Sequence, residues 1–174
     1  RVVNGAIMIV IGIDPGTATT GYAIVDLNRK KQPKLIEADV FKTSQDHEMH
    51  VRLASLQLQL DQVMKIYSPT LMIIERLFFN TNAKTAMTVG QARGVILLTA
   101  AQYNLNVEEY TALQAKKVMT GYGRADKKQM QEAVMEFLGL PEKIKQDDAN
   151  DAVAMAICYY KNNYEELIVE SKNK

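Results

Sequence analysis

The stretch that most constrains this chain is Ile9-Val10-Ile11-Gly12-Ile13-Asp14-Pro15-Gly16-Thr17-Ala18-Thr19-Thr20-Gly21-Tyr22-Ala23-Ile24-Val25-Asp26. Its opening run, rich in Ile and Val, reads as a buried strand. The strand ends on a carboxylate, Asp14. Pro15-Gly16 and Gly21 mark a turn, and a second apolar run from Tyr22 to Val25 returns at hairpin distance. A bare Asp between buried strands is costly unless something pairs with it. No basic residue lies nearby in sequence. Three partners fit: a divalent metal, a phosphate-bound cation, or the N–H groups of Asp14's own turn.

The 174 residues predict one domain. A chain of this length buries about 70% of its unfolded surface and needs no covalent staples. Cys158 is the only cysteine. That excludes a disulfide framework and points to a reducing, cytoplasmic setting. No apolar run reaches the roughly 18 residues of a membrane span, and no signal peptide is evident. Residues 1–7 read as a leader, 8–160 as the folded domain and 161–174 as a polar tail. The net charge of +1 makes no case for nucleic acid by itself, so that case depends on where the charges sit.

The basic, Pro-containing segment Arg29 to Lys34 reads as a solvated turn, and Leu35 to Phe41 as a third strand of an antiparallel meander. From His47 to Tyr67 the period changes. Leu53, Leu56, Leu60, Val63, Met64 and Tyr67 recur at helical steps, and Ser68-Pro69 stops the helix. His47 and His50 near its start read as solvent-facing. Leu71-Met72-Ile73-Ile74-Glu75 is then a continuous apolar strand that again ends on a carboxylate. A strand after a helix implies a crossover and a parallel neighbour for the first strand. Asp14 and Glu75 are thereby expected to meet at the carboxyl edge of the sheet, where open α/β sheets bind ligands. Two carboxylates about 4 Å apart repel by roughly 4 kcal/mol at an effective dielectric of about 20. Such a pair exists to share a proton or to hold a cation.

Phe78 and Phe79 follow in a loop, and one of the two is expected to fold back into the core. Ala83 to Tyr103 is a long helix. Ala86, Gly90 and Gly94 fall at four-residue spacing on it, a smooth stripe for close approach by a helix of this chain or of a second subunit. Asn106 to Tyr110 reads as a fifth strand, and Ala112 to Met119 as a short helix. A glycine-rich loop around Tyr122 follows, and Asp126 can cap a helix over 127–138. Lys116, Lys117, Arg124, Lys127 and Lys128 cluster around this loop, a basic region suited to phosphate backbones. The last helix opens at Gln146-Asp147-Asp148-Ala149-Asn150-Asp151. Asp148 and Asp151 share a face with the apolar stripe Ala152, Met155, Ala156 and Tyr159. One of Asp147 and Asp148 can serve as the N-cap.

Acids on two strand ends and one helix face suit two Mg²⁺ or Mn²⁺ ions, and hard oxygen donors without His or Cys clusters argue against zinc. At this point the sequence resembles the RuvC family of Holliday-junction resolvases, within the RNase H-like superfamily. The matching motifs are Ile11-Gly12-Ile13-Asp14-Pro15-Gly16, Ile74-Glu75 with Phe78, Val89-Gly90-Gln91-Ala92-Arg93-Gly94-Val95, and Asp148-Ala149-Asn150-Asp151-Ala152. The resemblance implies an α/β fold with a five-stranded mixed sheet in the order 3-2-1-4-5. It also implies a catalytic, metal-binding tetrad of Asp14, Glu75, Asp148 and Asp151. The expected protein is a homodimer that nicks opposed strands of a four-way junction, with branch-migration proteins as further candidate partners. Lys116, Lys127 and Phe78 match family positions close to DNA, and Arg124 and Tyr122 join them from the basic loop. Asp147 is an extra acid that could compete with Asp148, and Phe79 doubles the loop aromatic.

Other readings share parts of this pattern. A different RNase H-like nuclease, acting on RNA or an RNA·DNA hybrid, would use the same metals. Asp14-Pro15-Gly16-Thr17 loosely resembles a phosphate motif of sugar kinases and actins, but those need a second similar lobe. A junction-binding protein without catalysis would have lost one of the four acids.

Overall fold

The computed structural model describes residues 8–27, 32–77 and 83–163, with side chains from residue 85 onward in the last segment. A single sheet organises them. Strands β1 (Ile9–Asp14), β2 (Thr19–Asp26) and β3 (Lys34–Lys42) form the meander; β4 (Leu71–Glu75) and β5 (Asn106–Tyr110) complete it. The strand order is β3-β2-β1-β4-β5, as expected. β1 pairs antiparallel with β2, setting Asp14 opposite Gly21. It pairs in parallel with β4, setting Ile13 opposite Ile74. The crossover between them is α1 (Met49–Tyr67). Helices α2 (Ala83–Gln102), α3 (Ala112–Thr120), α4 (Lys127–Leu138) and α5 (Asp147–Asn162) fill the rest.

Alternation along the strands divides the core in two. Ile11, Ile13, Ile24, Met72 and Ile74 face α1 and α2 and pack on Leu56, Leu60, Met64, Ala92 and Ile96. Val10, Ala23, Val25, Leu71 and Ile73 face the other way, towards α5, with Met130 and Val134 of α4 behind it. The central strands are therefore apolar on both faces, which is why β1 and β4 read as unbroken apolar runs.

Local signals place the helix ends. Ser68 takes φ 45° and its N–H caps Met64 O, ending α1. Capping boxes start α3 at Thr111–Gln114 and α4 at Asp126–Gln129, and glycines at positive φ end both helices. His47 and His50 are exposed, as expected.

Three expectations about the last helix need correcting. Its N-cap is Gln146, with Asp147 and Asp148 already inside the first turn. A single apolar stripe was expected, yet Ala149, Asn150, Ala152 to Cys158 and Tyr160 are all buried. The cause is position: α5 lies between the sheet and the pair α3–α4 and has almost no solvent face. The tail also begins too early at Lys161. That residue donates to Val118 O at 3.1 Å and lies 4.6 Å from the Phe137 ring centroid. Among the described residues no helix is long and apolar enough to cross a membrane.

Candidate active site

The parallel pairing of β1 and β4 brings Asp14 and Glu75 to the same sheet edge. In its protonated form Asp14 is hydrogen-bonded to Glu75. Burial, that hydrogen bond and the charges of Glu75, Asp151 and Asp148 push the Asp14 carboxyl up to about 9. Asp151 is raised to about 6, first by burial and then by Glu75; Lys116 acts in the opposite direction. Each of Glu75, Asp148 and Asp151 is thus felt electrostatically at Asp14, and the four expected acids share one neighbourhood.

Two glycines bring the helix-borne pair there. A Cβ on Gly21 would lie 1.9 Å from the carbonyl oxygen of Asp148, and one on Gly12 would lie 2.1 Å from that of Ala152. The α5 backbone therefore rests directly on β1 and β2, one helical turn apart. A glycine inside a β-branched strand is the sequence mark of such close approach. Gly12 and Gly21 are both such glycines, and they carry the one signal of this contact that lies in the sequence.

Among the described residues no group of three or more His, Cys, Asp or Glu side chains stands as a preformed metal cage. The donor set nonetheless fits a hard divalent cation. It is made of carboxylate oxygens, and burial together with the neighbouring carboxylates raises the carboxyl of its innermost member, Asp14.

The rim is basic. Lys127 Nζ lies 2.8 Å from Asp147 Oδ2, and Gln131 donates to the other oxygen of Asp147 at 3.1 Å. The extra acid is thus engaged outside the cluster. Lys116 is half-buried near Asp151, while Tyr122 and Arg124 are exposed. Phe78 and Phe79 lie outside the described residues.

On the far side of Glu75, Arg76 and Arg93 both engage Glu109, the first at 3.1 Å, tying α2 to β5. With Leu77 and Gly90 they line a cleft of about 370 Å³. The stripe Ala86, Gly90, Gly94 has no partner helix within the described chain: a Cβ on either glycine would meet nothing within 4 Å.

Known proteins are similar to this chain in sequence and fold. The family described as "Crossover junction endodeoxyribonuclease RuvC" matches residues 10–159. A protein of that name from Caldicellulosiruptor saccharolyticus is 47% identical over 152 residues, covering 87% of this chain and 92% of the relative. The solved structure of Thermus thermophilus RuvC superposes with a TM-score of 0.82 at 28% identity, over 92% of this chain and 98% of that one. The same protein in complex with a Holliday junction substrate gives 0.83 at 27% identity, over 92% and 97%. Family match, relative and fold agree over nearly the whole chain, and it belongs to the RuvC family of crossover junction endodeoxyribonucleases.

Proposed function

We propose that this chain resolves four-way (Holliday) DNA junctions by paired symmetric nicks, acting as a homodimer with two divalent ions per site. One observation carries the reading. Two carboxylates end adjacent parallel strands, and a helix resting on strand glycines adds two more. The resemblance to Thermus RuvC, which has been solved with a Holliday junction, supports the substrate.

Asp14, Glu75, Asp148 and Asp151 would hold Mg²⁺, with Mn²⁺ as a substitute. Bound there, the ions supply a water activated for attack on the phosphodiester and charge stabilisation at the leaving oxygen. The protein's own part is binding and orientation. Lys116, Lys127, Arg124 and Tyr122 contact the backbone around the cut. Lys127 exchanges its Asp147 carboxylate for a phosphate. Phe78 stacks on bases at the junction centre, where aromatic stacking contributes about 1–3 kcal/mol per base. The test is a synthetic four-way junction incubated with and without Mg²⁺, with the nicks mapped. Symmetric, Mg²⁺-dependent nicks are expected. Preferential cutting of a linear duplex or an RNA·DNA hybrid would overturn the assignment.

The dimer reading rests on one face of α2. Met87 and Leu98 are exposed there at 69% and 59%, flanking the bare glycines 90 and 94. A junction presents two equivalent cuts, which suits two-fold symmetry. Gly90→Leu has room within the monomer, so it should leave the fold intact and weaken the dimer by overpacking it. Sedimentation at micromolar concentration checks this. A wild-type monomer mass, or an undisturbed Gly90→Leu dimer, counts against the α2 interface.

A further inference from the structure

We infer that Thr19 is a positioning residue for the metal site, fixing the Asp148 carboxylate through its hydroxyl. The inference rests on the metal-dependent reading above. Thr19, the first residue of β2, donates its Oγ1–H to Asp148 Oδ2 across the gap between sheet and helix. Among the described residues no other hydrogen bond reaches the Asp148 side chain. One oxygen is therefore tied to protein, and the other is left for a cation.

The segment that carries Thr19 is itself held firmly. Thr20 Oγ1 donates to Gly16 O at 2.7 Å. Thr43 reaches back twice, its hydroxyl donating to Thr17 O at 2.5 Å and its N–H to Ala18 O at 3.1 Å. Arg52, half-buried on α1, donates from Nη2 to Thr17 O at 2.8 Å and from Nε to Thr43 Oγ1 at 3.1 Å. Residues 16, 17, 18 and 20 are thus all anchored around the hydroxyl that holds Asp148. A bare carboxylate beside three others would swing outward to reduce repulsion. A donor on a fixed strand opposes that swing and lowers the cost of ordering the ligand when a cation arrives.

Hydrogen-bond partners of metal ligands typically matter by about 10–100-fold in metal affinity. The experiment measures Mn²⁺ binding directly, by the electron paramagnetic resonance of free Mn²⁺, on the wild-type protein without DNA. Thr19→Val keeps the shape and removes the donor; Thr19→Ser keeps the donor. Expected are a loss of about 10–100-fold in Mn²⁺ affinity for Thr19→Val and near-wild-type affinity for Thr19→Ser. The nicking rate of Thr19→Val should recover as Mg²⁺ is raised, because the ligand set is complete and only its order is lost. Melting curves of both variants check the fold, and the serine variant carries the test if the valine variant is damaged. Wild-type affinity in Thr19→Val overturns the inference, as does a serine variant as weak as the valine one. Asp14→Asn separates the two levels of argument. If it leaves Mn²⁺ binding untouched, the metal site itself is misplaced; if it abolishes binding while Thr19→Val does not, only the role of Thr19 falls.

Discussion

Asp14→Asn leaves the junction bound and uncut, and raises the melting temperature of the metal-free protein. Both effects follow from one carboxyl. Affinity for DNA comes mainly from phosphate contacts, which the substitution does not touch. The nicking loss should exceed about 100-fold, the upper range for a residue that merely supports a metal ligand. The stability gain has a definite sign. Asp14 stands at about 9 in the folded chain against 3.8 as an ordinary aspartate. A group raised in the folded state contributes its stability fully below its unfolded value and loses it as pH rises through its folded value. Wild type therefore forfeits stability between about pH 4 and pH 9, and an amide, which does not titrate, forfeits none. The amide can still donate to Glu75. At neutral pH the gain is on the order of a few kcal/mol. In a domain of this size that means about 2–4 °C of melting temperature for each kcal/mol. Saturating Mg²⁺ should narrow the difference by stabilising wild type alone. A variant that melts below wild type in chelator at pH 8, or that nicks at the wild-type rate, would falsify the assignment of Asp14.

Gly21→Ala should lose both stability and activity, although it adds only a methyl group and replaces no proposed ligand: Gly21 stands opposite Asp14 on β2, against the backbone of Asp148. The added carbon would lie 1.9 Å from Asp148 O, 2.2 Å from Asp148 C and 2.9 Å from Ala149 N, all of them backbone atoms. The first turn of α5 must retreat from the sheet. Overpacking of this kind costs about 1–3 kcal/mol. A retreat of about 1 Å carries Asp148 away from Asp14 and can lower the rate by about 100-fold. Gly12→Ala, which meets Ala152 O at 2.1 Å, should be comparably unstable and should also lose activity, because its clash lies a turn beyond Asp148 but directly beside Asp151. Thermal melts and single-turnover nicking decide this. A Gly21→Ala protein with unchanged melting temperature and rate would mean that α5 does not sit where it is described.

The fold was legible because each element carried its own punctuation. The Ser68-Pro69 stop, the Asp126 cap and the unbroken run from Leu71 to Ile74 each marked a boundary that the structure keeps. The full strand order came from the family resemblance, and it agrees with the meander and the one crossover read from the residues. The meeting of Asp14 and Glu75 was legible for the same reason, since two strands that end on acids can be joined by parallel pairing alone. What escaped depends on distant contacts. Burial around the whole of α5 comes from two helices packed behind it, and a period counted along one element does not show its neighbours. The Thr19 hydroxyl meets a residue 129 positions away. The Lys127–Asp147 pair spans 20 positions and reads in sequence as two unrelated surface charges.

The division of the four acids between the chain's two ends has a consequence during synthesis. Asp14 and Glu75 emerge from the ribosome early, on strands that can pair as soon as α1 has formed. Asp148 and Asp151 arrive only with α5, the last helix described, which is also the filler of one whole face of the sheet. A nascent chain therefore carries half of the proposed site and an uncovered apolar face until α5 emerges. The same docking event completes the core and the proposed cutting centre, so on that assignment hydrolytic competence arrives together with the folded state.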